Sequence, residues 1–172
     1  MAKVTKKSAK HARPEDLGVR VSDRVQILDV RLISCHVEQT PESSSDLPKN
    51  LDLQVNTNVE QNRDLDFILV FAEFSLEIRL EDGPSKDPIV QIHAQFLLTY
   101  HIDSFDDLTD KAFRQFGEMN GVYNAWPYWR EFVQNTTARM GLKSLTLPVF
   151  RVLPGKPKAS PAKKAKAKAK KK

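Results

Sequence analysis

Cys35 and His36 stand side by side, and a thiol next to an imidazole has the parts of a nucleophile and its base. They lie in a strand-like run, Val25 to Thr40, where neighbouring side chains point to opposite faces, so they cannot form a dyad. Cys35 is expected instead as a small buried apolar residue. As the only cysteine it excludes an internal disulfide and a cysteine zinc site. His93 and His101 share a face of a later strand but are separated by ~26 Å at ~3.3 Å per residue, too far to share a metal. Asp106, Asp107 and Asp110 form a carboxylate cluster on paper, yet they suit the positive end of a helix. The six glycines are scattered singly, which excludes a phosphate-cradling loop. The expectation is no catalytic residue, no metal and no cofactor.

The elements that would position any site read as strands first and helices last. In Val25 to Thr40 the apolar parity changes twice. Val25 and Ile27 are odd, Leu28, Val30 and Leu32 even, and Ile33, Cys35 and Val37 odd again, a pattern that a bulge or bend would reconcile with one buried face. Leu51, Leu53, Val55, Thr57 and Val59 alternate with polar residues, as in a half-buried strand. Ile68 to Leu80 and Val90 to Ile102 each carry a continuous apolar row. No connection is long enough for a crossover helix, so the spacing predicts an antiparallel meander of four strands.

Beyond Asp106 the apolar period becomes helical, through Leu108, Ala112, Phe113, Phe116 and Met119, with Gly121 as a stop. A second helix fits Asn124 to Met140, capped by Asn124, with Pro127 in its first turn and Gly141 at its end. The fold class is α+β, a four-stranded antiparallel sheet lidded by two C-terminal helices. The opposite sheet face mixes Leu69, Phe71 and Leu97 with Ser75, Gln91, Gln95 and Thr99, a composition suited to another subunit.

Charge divides the chain. Lys3, Lys6, Lys7, Lys10 and Arg13 precede the first acid, and the stretch from Pro154 to Lys172 carries lysines and no acid. All 22 acidic residues therefore lie in the body, which is net acidic although the whole chain is formally +5. The expected organisation is a disordered basic arm over 1–20, a domain over 21–153 and a disordered Lys, Ala and Pro-rich tail over 154–172. Such a tail suits nucleic acid or acidic surfaces through counterion release and cannot read a base sequence. No apolar run is long enough to span a bilayer and no apolar segment follows the basic N-terminus, so the expectation is a cytoplasmic protein without membrane insertion.

The segment Asn120 to Arg151 is the most distinctive. Pro127, Tyr128, Arg130 and Glu131, then Arg139 to Gly141, Leu145, Leu147, Pro148 and Val149, resemble the second helix of the SecB family of export chaperones and the Leu-rich and Pro-Val stretch that follows it. The resemblance implies an ATP-independent chaperone that holds unfolded polypeptide clients in apolar grooves. It also implies a homotetramer built as a dimer of dimers, with sheets making the subunit contact and helices the tetramer contact. Candidates to line a client groove are Leu47, Val55, Val59, Tyr123, Trp126 and Trp129. In the family an Asp and a Glu on the first strand dock the translocation ATPase SecA. Here Glu38 matches the Glu, whereas Ser34 stands where the family has Asp. Some members of that family instead keep an antitoxin soluble, so export and toxin–antitoxin roles are both open, beside a nucleic-acid role for the tail.

Overall fold

The computed structural model describes residues 14–41, 49–80 and 87–150. A short helix α1, Pro14–Ser22, leads into four strands: β1 Val25–Gln39, β2 Lys49–Asn62, β3 Phe67–Leu80 and β4 Val90–Ile102. Helix α2, Asp110–Phe116, passes through a π-helical turn, Gly117–Gly121, into helix α3, Val122–Arg139. The strands match the expected runs closely because the period-2 patterns of β2, β3 and β4 are uninterrupted and that of β1 is only reset at two points.

The sheet is antiparallel throughout and its order is β1-β4-β3-β2. The meander thus holds for β2, β3 and β4, while β1 lies against β4 at the far edge. The connection after β1 is proline-bounded and too long for a tight hairpin, so β1 is free to take the open edge of β4, giving a Greek-key order. The two parity changes in β1 appear as register shifts between Ile27 and Asp29 and between Leu32 and Ser34. Leu28 and Ile33 are the bulged residues, and around them Ile27, Val30, Leu32, Cys35 and Val37 all oppose the buried row of β4.

The core lies between the inner rows of β3 and β4 and the helices. Ile68, Val70, Ala72, Phe74 and Leu76 meet Ile92, Leu98, Tyr100 and Ile102, all essentially inaccessible, and Phe113, Phe116, Trp129 and Val133 cover them. The helical cover does not reach β1. Cys35, expected to be buried, is exposed for that reason.

Two expectations about the helices are corrected. Residues Pro14 to Arg20, placed in a disordered arm, are helical, and α1 buries Val21. Gly121 does not end a helix, since helical structure runs on from Asp110 to Arg139. A Cβ on Gly117 would stand 2.4 Å from Val59 Cγ2, and one on Gly121 would stand 2.6 Å from Val70 Cγ1. These glycines let the helix lie directly on the sheet. Pro127 consequently falls inside α3 rather than in a first turn, and Asn124 donates to the Tyr100 hydroxyl at 3.0 Å instead of capping.

The end of α3 follows expectation. Gly141 has φ of +72°, Gly141 N donates to Ala138 O and Leu142 N to Thr137 O, the paired bonds of a Schellman cap. This cap turns the chain back along the helix.

Candidate functional site

Along β2 the inner row Leu51, Leu53, Val55, Thr57, Val59 borders open space, because the helical cover meets this strand chiefly near Thr57 and Val59, at Gly117. Three grooves of about 260, 450 and 240 Å³ follow this row. The first lies between Leu51 and Ile78 on the sheet and Leu142 and Leu145 after α3. The second, between Val55 and Thr57 on one side and Glu118, Val122 and Phe150 on the other, shares Thr57 and Glu118 with the third. The third ends where Gln61 Nε2 donates to Asp110 Oδ1 at 3.2 Å. Leu51, Ile78, Leu142 and Leu145 make the first groove apolar, Val55, Val122 and Phe150 face Asn56, Thr57 and Glu118 in the second, and the third is largely polar, with Gln61, Asp110, Arg114 and Glu118 around Val59 and Phe113. Such a trough suits extended apolar chain and offers nothing for bond chemistry.

Its helical wall is built by the segment after the cap. Lys143–Phe150 makes no backbone-to-backbone hydrogen bond among the described residues. Three α3 side chains hold it: Trp126 Nε1 donates to Pro148 O at 2.9 Å, Arg130 Nε donates to Leu147 O at 2.7 Å, and Thr137 Oγ1 accepts from Leu145 N at 3.1 Å. Positions 126, 130 and 137 share one helical face. Leu142 and Leu147 are buried, and Phe150 packs on Trp126 with ring centroids 5.5 Å apart.

The structure divides the client candidates read from the sequence. Val55 and Val59 line the trough and pack against the core edge. Tyr123 is exposed and, with Trp126, lines an adjoining groove that Phe150 separates from the trough. Trp129 is not a groove residue, because it is fully buried, stacked on Phe74 at 5.3 Å and beside Phe132. Leu47 lies outside the described residues. Phe150, Val122 and Glu118 were not anticipated; only the Leu145, Leu147 and Phe150 spacing hinted that this stretch turns back onto the sheet.

Glu38 stands elsewhere, on the outer face of β1, exposed, with its carboxylate 3.7 Å from His36 Nε2. The sheet order places His36 directly opposite His93, ring centroids 6.4 Å apart. Among the described residues no group of three metal-ligating side chains comes together, and no helix is long and apolar enough to cross a membrane. Arg130 and Glu131, neighbours that could have paired, act separately: Glu131 accepts from Asn135.

No family model matches the chain. Two curated proteins of Mycobacterium tuberculosis strains, SecB-like chaperone Rv1957 and SecB-like chaperone MT2006, are each 26% identical to it over 161 residues, spanning 83% of this chain and 87% of the relative. The solved structure of the Mycobacterium tuberculosis Rv1957 SecB-like chaperone, in complex with a ChAD peptide from the Rv1956 HigA1 antitoxin, superposes with a TM-score of 0.73 at 21% identity, covering 81% of this chain and 99% of that one. The likeness first carried by Pro127, Tyr128, Arg130 and Glu131 therefore extends to most of the sequence and to the fold, and the chain is similar in both to the SecB-like chaperones.

Proposed function

We propose that this chain is an ATP-independent holdase that binds unfolded polypeptides in the trough along β2. The observation that carries the reading is the trough itself: an open channel whose walls are apolar from Leu51, Ile78 and Leu145 to Val55, Val122 and Phe150, and which turns polar only at its Gln61 and Asp110 end. No catalytic residue, metal or cofactor enters this activity, which is passive binding rather than catalysis. Client contacts are assigned to Val55, Val59, Tyr123 and the rim of the buried Trp126 that lines the Tyr123 groove, with Leu47 as a further candidate on the connection after β1.

An antitoxin-type client is favoured over a preprotein for export. The similar chaperone of known structure holds an antitoxin peptide, and Ser34 stands where the export family places an acidic residue for SecA. Glu38 alone is a weakened SecA site. The working location is the cytoplasm, where both client types emerge from the ribosome.

The assembly we infer is a homotetramer. Supporting it, the inner row of β1 stays open, with Ile27 43%, Leu32 44% and Val37 38% exposed, a stripe that a second subunit would cover.

The decisive measurement is light scattering by an aggregating unfolded protein, with and without this chain and without nucleotide. Suppression at stoichiometric amounts is expected. No suppression, together with elution as a monomer, would sink the reading. Removing 154–172 separates it from a nucleic-acid function: holdase activity persists under the chaperone reading, whereas DNA affinity and function disappear together under the other.

A further inference from the structure

The strap after α3 is itself an extended, apolar stretch lying on the groove. Its side chains alternate in depth: Leu142 and Leu147 are buried and Leu145 and Phe150 partly buried, while Lys143, Ser144, Thr146 and Val149 are exposed. Its main chain is gripped at Leu145 N, Leu147 O and Pro148 O, atoms that every peptide owns apart from a proline nitrogen. The α3 face therefore recognises backbone at three points and leucine-sized bulk between them. Nothing in this grip is specific to the strap's own sequence.

Taking the chaperone reading as its basis, we propose that the Lys143–Phe150 strap, beyond the helix cap, is an exchangeable internal occupant, and that an extended leucine-bearing client segment takes its place against Trp126, Arg130 and Thr137. The exchange is close to balanced. A client leucine restores the burial lost by Leu147, and the client main chain satisfies the same indole, guanidinium and hydroxyl groups. Because the strap lacks a backbone ladder, its release breaks no sheet or helix. With the strap away, the groove at Val55 joins the Tyr123 groove, since Phe150 lines both, and the groove at Leu51 loses its Leu145 wall.

Population shift fixes the expected signs. A client that needs the strap released binds with an affinity reduced by the fraction of chains in which it is released. Weakening the strap's own side chains should tighten client binding, whereas weakening the α3 grip that strap and client share should leave it nearly unchanged. The experiment is amide hydrogen exchange on the full chain with a saturating reduced, unfolded protein as client, binding being confirmed in parallel by suppressed aggregation. Protection of the Leu145 amide should fall by about tenfold or more while the α3 amides keep theirs. Leu147→Ala should raise client affinity by about threefold to tenfold, whereas Arg130→Ala, which weakens the hold on strap and client alike, should change it by less than about threefold. Leu145→Ala, at a half-buried site, provides the same readout with less risk to folding. If aggregation is suppressed but Leu145 keeps its protection, the exchange is wrong and the chaperone reading stands. If no client binds at all, both fall.

Discussion

Tyr100 shows how one side chain reports on the lid. Its ring is buried on β4 with 1% exposure and meets Phe116 edge to face at 5.0 Å. Burial, partly offset by the hydrogen bond from Asn124, pushes its phenol up to about 12 from an ordinary 10.0. The folded state thus holds this proton more tightly than the unfolded chain does. The stabilisation is fully present below pH 10 and is lost as pH rises through 12, a loss on the order of 3 kcal/mol for a shift of about two units. Denaturant melts from pH 9 to 12 should show this decline, and Tyr100→Phe should flatten it; an equal slope in the two proteins would remove Tyr100 as its source. At this same scale the tryptophans diverge. Helical spacing put Trp126 and Trp129 on one stripe, and both meet Phe74, yet Trp129 stacks on it fully buried whereas Trp126 lies nearer the rim and also donates to Pro148 O. Sequence spacing gives the stripe but not the depth, because depth depends on where the sheet ends beneath the helix.

The elements were legible wherever a period ran unbroken. Three strands could be read from alternation, and the two parity changes in β1, which called for a bulge or bend, coincide with the register shifts between Ile27 and Asp29 and between Leu32 and Ser34. Strand order was not legible. Nothing in the β1 pattern distinguishes β2 from β4 as its partner, since both offer an apolar row. The helical region was misread for a different reason: glycine ends helices in most sequences, but Gly117 and Gly121 serve here as points of close approach to Val59 and Val70. Both pack into a turn that is wider than the α-helix on either side. Gly121→Ala should therefore cost about 1 to 3 kcal/mol by overpacking against Val70, which is fully buried. Val70→Ala in the same chain should recover part of that loss, and a double-mutant cycle of chemical melts measures the coupling. Strict additivity of the two substitutions would show that the helix does not rest on Val70.

At the scale of the whole molecule the sheet is covered unevenly, and the uneven cover assigns roles to its two edges. Over β2 the strap and the π-helical turn leave a trough with walls on both sides. Over β1, among the described residues, the inner row meets the core only at Val25 and Val30, so Ile27, Leu32 and Val37 form an open stripe on a 15-residue strand at the edge of the sheet. A long, apolar, unpaired edge invites another strand, and isolated chains usually block such edges with charge or proline. The charges of β1, Asp29, Arg31 and Glu38, oppose Thr99, Leu97 and Gln91 on the outer face, leaving the inner row unguarded. Leu32→Glu places a charge in the middle of that stripe, opposite Phe96, without removing any core contact of β3 or the helices. The wild-type chain should sediment as an oligomer and the variant as a smaller species of unchanged far-ultraviolet circular dichroism. The trough lies at the other edge, so a peptide bound there should keep its affinity within about threefold in the dissociated variant, as expected for sites that do not share contacts. An unchanged mass would show that β1 is not the contact. A smaller species that no longer binds peptide would show that the trough is completed by a second subunit.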